Sequence, residues 1–118
     1  MKRARFVASA RREFLAEVAY YHTREPDLGA RFTKAVEAAT ARALAFPFSG
    51  SPASKNTRRV FVRSFPFAVI YRPAPDGILI VAVAHHSRRP AYWHFRVQEE
   101  RPVYQVTRNV SAETSTWL

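Results

Sequence analysis

One run of side chains constrains this fold more than any other. Ile78-Leu79-Ile80-Val81-Ala82-Val83-Ala84 carries no polar residue, and it runs directly into His85-His86-Ser87-Arg88-Arg89-Pro90-Ala91-Tyr92-Trp93. A strand that is apolar at every position must be covered on both faces, so this run is expected to be the innermost strand of a layered sheet. It falls far short of the roughly 18 apolar residues that a membrane span needs, and no membrane is expected. Its end gathers imidazole, guanidinium and phenol groups, so function is expected there.

The remaining pattern fits around that strand. Arg5 to Ala8 reads as a short first strand, and Ser9 as the N-cap of a helix with Glu13 in its first turn. Phe14, Leu15, Val18, Tyr21 and His22 recur on one helical face. Pro26 breaks this helix and Asp27 is placed to cap a second. Its apolar face takes Leu28, Phe32, Ala35, Val36, Ala39, Ala43 and Leu44, and it ends near Phe46-Pro47. Residues 48–57 read as a loop. From Arg58 the period becomes extended, with strands expected over residues 58–64 and 67–72 around a tight turn at Phe65-Pro66. Asp76-Gly77 favours a hairpin into the apolar run. The order β-α-α-β-β-β predicts a small α+β domain, its twisted sheet antiparallel-rich and its N-terminal helical hairpin packed on one face. That domain is assigned to residues 1–93. Residues 94–118 read as an extension, a short strand at 103–106 followed by a polar tail.

Charge narrows the partners. The formal net charge is +10 and the isoelectric point about 11.1. No acid occurs between Ala38 and Pro75, a stretch holding Arg42, Lys55, Arg58, Arg59, Arg63 and Arg72. A field of one sign favours a polyanionic partner, either nucleic acid or an acidic protein segment; a merely soluble basic surface is the plain alternative. The absence of cysteine rules out a disulfide framework and thiolate metal sites. Arg11, Arg12 and Glu13 interrupt any apolar signal core after the basic N-terminus, so a cytoplasmic protein is expected.

His85, His86, Arg88, Arg89 and Tyr92 contain the residue types that metal-free RNA cleavage requires. Those are a base for the 2′-hydroxyl, an acid for the departing oxygen, and cations around the phosphate. Neighbouring strand residues point to opposite faces, so His85 and His86 do not chelate one metal together, and no metal or other cofactor is expected. The alternative reading has the arginines gripping a partner's carboxylates while Tyr92 and Trp93 bury as packing. Phe61, Phe65, Phe67, Tyr71 and Trp93 match a base-stacking platform, but aromatics at alternating strand positions more often face a core.

The strings Tyr20-Tyr21, Ala30-Arg31-Phe32, Phe65-Pro66-Phe67-Ala68-Val69-Ile70-Tyr71-Arg72 and Val81 to Pro90, in this order of elements, resemble the RelE/ParE superfamily of bacterial toxins across about residues 4–93. The resemblance implies the toxin half of a type II toxin–antitoxin module. Its partner would be an acidic antitoxin forming a hetero-oligomer with it, and operator DNA would be reached only through that antitoxin. One branch of the superfamily cleaves mRNA in the ribosome; the other inhibits DNA gyrase. Against the nuclease branch, Phe61 and Ala68 stand where cations are expected, and only Arg59 is retained. Losing cations around a transferring phosphate costs orders of magnitude in rate. The resemblance therefore favours a non-enzymatic gyrase inhibitor, with a ribosome-dependent nuclease as the alternative and a non-toxic nucleic-acid-binding protein as the third. Lys55, Arg58, Arg59, Arg63, Arg72, Arg88, Arg89 and Trp93 are the candidate contacts to target or antitoxin. His85, His86, Arg88, Arg89 and Tyr92 are catalytic candidates only if the chain is a ribonuclease.

Overall fold

A computed structural model describes residues 2–87, 92, 93 and 96. The chain begins with β1 (Arg3–Phe6) and runs straight into α1 (Ala8–Arg24) and α2 (Pro26–Ala45). Four strands follow: β2 (Ser51–Pro52), β3 (Arg58–Phe61), β4 (Phe67–Ala74) and β5 (Gly77–His85). They form one five-stranded sheet in the order β1-β5-β4-β3-β2. Only β1 and β5 pair in parallel; the other pairs are antiparallel. The α+β class and the helical hairpin on one face of an antiparallel-rich sheet are as the sequence implies. The sheet has one strand more than expected. The apolar run is second in the order, beside a central β4, and is buried on both faces.

Several local readings are corrected. Ser9 does not cap α1; Val7 takes that position with no side-chain cap bond. The reason is tertiary: the Val7 N–H donates to Ile80 O at 2.9 Å, and its side chain is buried, so the strand needs an apolar residue where a cap would stand. Likewise Glu25 precedes α2, Pro26 opens it, and Asp27 sits in its first turn. Leu15 and His22 of the expected apolar face of α1 are exposed, whereas Ala10 and Phe14 are buried. Residues 51–61 are a hairpin rather than a loop followed by a strand. Thr57 N–H bonds Ser54 O at 3.1 Å, and Lys55 and Asn56 both have positive φ, 57° and 62°, as a type I′ turn demands.

The core on the helix side joins Phe14, Phe32 and Val36 to Phe67, Val69, Tyr71, Ile78 and Ile80. Phe32 packs edge-on to Phe65 and Phe67, with both centroids at 5.1 Å. Opposite Ile70 and Tyr71 the β5 register skips Val81, a bulge in that strand. Gly77 opens β5 at φ 142°, where a Cβ would collide with the backbone of Arg3. Bidentate pairing of Arg5 with Asp76 ties that turn to β1. The expected strand at 103–106 and the polar tail lie outside the described residues.

Candidate functional site

The face of the sheet away from the helices carries several of the candidate residues that the structure describes. Its apolar floor is Ala68, Ile70, Val81, Ala82 and Ala84, and Trp93 closes over it with only 5% of its surface exposed. Cross-strand pairing sets Arg59 opposite Ile70 and Phe61 opposite Ala68 on this face. Arg58 pairs with Tyr71 and so leaves on the other side. Alternation along β3 thus separates two arginines that are adjacent in sequence.

Trp93 is a packing element here, not an exposed contact. Its neighbour Tyr92 is half-buried, and its hydroxyl donates to Glu13 Oε2 at 2.5 Å. The same carboxylate accepts from both guanidinium nitrogens of Arg96, at 2.9 and 3.1 Å, and from the Val83 N–H at 3.0 Å. Arg96 also donates to Val81 O at 3.2 Å, with its guanidinium 5.0 Å from the Tyr92 ring centroid. The arrangement follows from topology. β1 stops at Phe6, opposite Ile80, so the edge of β5 beyond that point has lost its strand neighbour. Glu13 and Arg96 supply the missing acceptor and donor. Sequence reading placed Glu13 only as a helix-dipole residue and did not single out Arg96. No local signal joins positions that far apart.

The two histidines go to opposite faces, as alternation requires. His85 turns toward the helices, edge-on to Phe67 at 4.9 Å. Its Nδ1 accepts the Ser87 N–H at 2.9 Å and lies 2.8 Å from the Ser87 hydroxyl. An engaged Nδ1 lone pair leaves Nε2 as the ring's N–H position in the neutral form. A cavity of about 380 Å³ beside His85 is lined by Ala16, Glu17, Tyr20 and Tyr21. Burial, then the Glu17 carboxylate, pushes the Tyr21 phenol upward. His86 is exposed beside Phe61, ring centroids 5.7 Å apart, and is pinned by its N–H to Pro66 O at 2.9 Å.

The cationic candidates divide into two groups. Arg58 and Arg72 line a cavity of about 480 Å³ together with Asn56 and Thr57, and Lys55 sits at the tip of the adjoining hairpin. Arg59 lies on the far face, while Arg63 is exposed just beyond β3. Arg88 and Arg89 lie outside the described residues. Among the described residues no group of three or more His, Asp or Glu is placed to hold a metal ion. No helix among them is long and apolar enough to cross a membrane.

A family model described as "ParE toxin of type II toxin-antitoxin system, parDE" matches residues 4–90, well over half of the chain. The chain belongs to the ParE toxin family. No curated protein matches it closely enough to count as a relative. Membership makes this ParE-type chain the toxin component of a type II toxin–antitoxin system and implies an antitoxin partner. The match ends before Tyr92, Trp93 and Arg96, so the cover on the far face comes from residues outside the matched span.

Proposed function

We propose that this ParE-type toxin arrests bacterial growth by inhibiting DNA gyrase, and that a cognate acidic antitoxin neutralises it. The observation that carries this reading is the character of the far face. Where a nuclease would need cations around a transferring phosphate, Phe61 lies against Ala68, and Trp93 covers the floor beside them. Two further features agree. The Nδ1 of His85 is already engaged, and the Tyr92 hydroxyl is held in a buried ion network rather than facing a substrate. Arg59, Arg63, Arg88 and Arg89 then serve as recognition cations for target or antitoxin, with planar forks that lysine does not reproduce.

The test sets gyrase supercoiling beside translation of a defined mRNA on ribosomes, using wild-type toxin and the variants His85→Gln, His86→Gln and Tyr92→Phe. Supercoiling should be inhibited by all four proteins and the mRNA left intact. Codon-phased mRNA cuts that one substitution abolishes, with gyrase untouched, would replace this reading with the ribosome-dependent nuclease. Cutting should then fall about 10²–10⁴-fold, the usual contribution of a general acid or base.

A further inference from the structure

Glu13 and Glu17 stand one turn apart on α1, in the stripe Glu13, Ala16, Glu17 and Tyr20 that runs beside β5. Glu13 has its cation: Arg96 pairs with it and sets its guanidinium 5.0 Å from the Tyr92 ring centroid. Glu17 has none. Among the described residues Asp76 pairs with Arg5, and Glu25 and Asp27 pair with Arg31, whereas no hydrogen bond or ion pair reaches Glu17. In a chain of net charge +10, a half-buried carboxylate without a cation is an exception to its surroundings.

Glu17 lines the cavity of about 380 Å³ together with Ala16, Tyr20, Tyr21 and His85. The aromatic walls are held in place. Tyr21 meets Tyr20 at 5.3 Å with the rings at 72°, and Phe32 and Phe65 back it at 5.1 and 5.2 Å. The Tyr20 hydroxyl accepts Arg24 Nη2 at 2.6 Å, and the Arg24 guanidinium lies 4.9 Å from the ring centroid. His85 is fixed by the Ser87 N–H on its Nδ1. Burial, and next the Glu17 charge, raise the Tyr21 phenol, so the carboxylate acts within reach of that ring. A carboxylate beside tyrosine rings is what Arg96 meets at Glu13 and Tyr92, repeated here one turn along the helix without its cation.

We propose that this cavity receives an arginine side chain of a partner protein, its guanidinium paired with Glu17 and lying against the Tyr20 and Tyr21 rings. Guanidinium suits both halves of the site, its fork matching the carboxylate and its flat cation the aromatic surfaces. A nucleic-acid strand has no cationic group to offer. An ammonium would meet the carboxylate as a point charge and lacks the flat surface. For a partner drawn in by the +10 field the gain is register. An acidic chain can slide along a surface of one sign, and a single pocket of reversed sign fixes where it stops. The inference goes beyond the gyrase reading, because it requires no particular target.

The experiment titrates the full chain with N-acetyl-arginine methylamide and follows the Tyr20 and Tyr21 ring resonances by NMR. Wild type should bind with a dissociation constant of roughly 1 mM, the scale expected of one side chain. The matching lysine derivative should bind at least about threefold more weakly. Glu17→Gln keeps the shape of the side chain and should weaken binding by about tenfold or more. Tyr20→Leu should weaken it about two- to fivefold. Glu37→Gln removes an equal charge from α2 and should change affinity by less than about twofold in physiological salt. The proposal is overturned if the lysine derivative binds as well, if Glu17→Gln has no effect, or if Glu37→Gln loses as much. Free arginine binding about tenfold tighter than the capped form would make this a site for the amino acid itself, and would overturn it too. So would a wild type that does not bind, including the case where an Arg88→Gln/Arg89→Gln double variant does, since the chain's own arginines would then fill the cavity.

Discussion

On the helix side of the sheet, Phe14, Phe32, Val36, Phe67, Val69, Tyr71 and Ile80 interlock as one apolar cluster supplied by two helices and two strands. On the other side, the floor of Ala68, Ile70, Ala82 and Ala84 is covered by Trp93, with Tyr92 and Ala53 at its margin. Among the described residues, the Glu13 carboxylate fastens that cover, reaching Tyr92, Arg96 and Val83. Among the described residues, the first face is closed by apolar area, and the second draws on one ring and an ion pair. Hydrophobic area is spread over many residues and tolerates small losses. A nearly buried ion pair concentrates its effect in two residues and fails when either is removed.

The contrast can be broken from either side. Phe32→Ala removes a fully buried ring from the centre of the helix-side cluster and should cost about 3–5 kcal/mol in urea unfolding. Glu13→Ala should come next, at about 3 kcal/mol, because it removes the carboxylate paired with a nearly buried Arg96. Trp93 fluorescence should then shift to the red while helical circular dichroism persists. Loss of both signals together would show that the faces do not close independently. Tyr71→Phe should cost about 1 kcal/mol through the lost bond to Pro47 O. Burial raises the Tyr71 phenol above its ordinary 10.0, outweighing the Gly50 backbone and the Arg58 guanidinium, which pull it down. A phenol raised on folding leaves stability intact below about pH 10 and erodes it as pH climbs toward the folded value. Wild type should therefore weaken above pH 10 more than Tyr71→Phe does. Smallest of all, Lys55→Asn should stabilise the hairpin by less than about 1 kcal/mol, because Asn tolerates the left-handed backbone better than Lys does.

The same contrast explains what the sequence makes legible. The helix-side core is written in repeating patterns: Phe32, Val36 and Ala43 at helical spacing, Phe67, Val69 and Tyr71 at strand spacing, and an unbroken run in β5. Composition and period suffice to place those elements on a sheet. The start of α1 departs from its local capping signal because Val7 answers to Ile80 across the sheet. The β2–β3 hairpin is hidden because its turn residues, Lys55-Asn56, lack the glycine that normally announces a type I′ turn. At the site, alternation correctly sends His85 and His86 to opposite faces. It also separates Arg58 from Arg59, which reading the cations as one cluster overlooks. The Glu13–Arg96 link has no sequence signature at all, since neither residue belongs to the other's periodic segment.

The parallel pairing of β1 with β5 sets some of the first residues to leave the ribosome against residues made much later. While the chain is being synthesised, α1 and α2 can associate early, but Arg3 to Phe6 have no strand to join until Gly77 to Ile80 exist. The three groups that Glu13 holds arrive later still. Long-range closure of this kind slows folding and leaves apolar helix faces exposed meanwhile. A growing chain therefore cannot place β1 in the sheet until nearly all the matched span has been made, and any surface that depends on the closed sheet exists only once synthesis is well advanced.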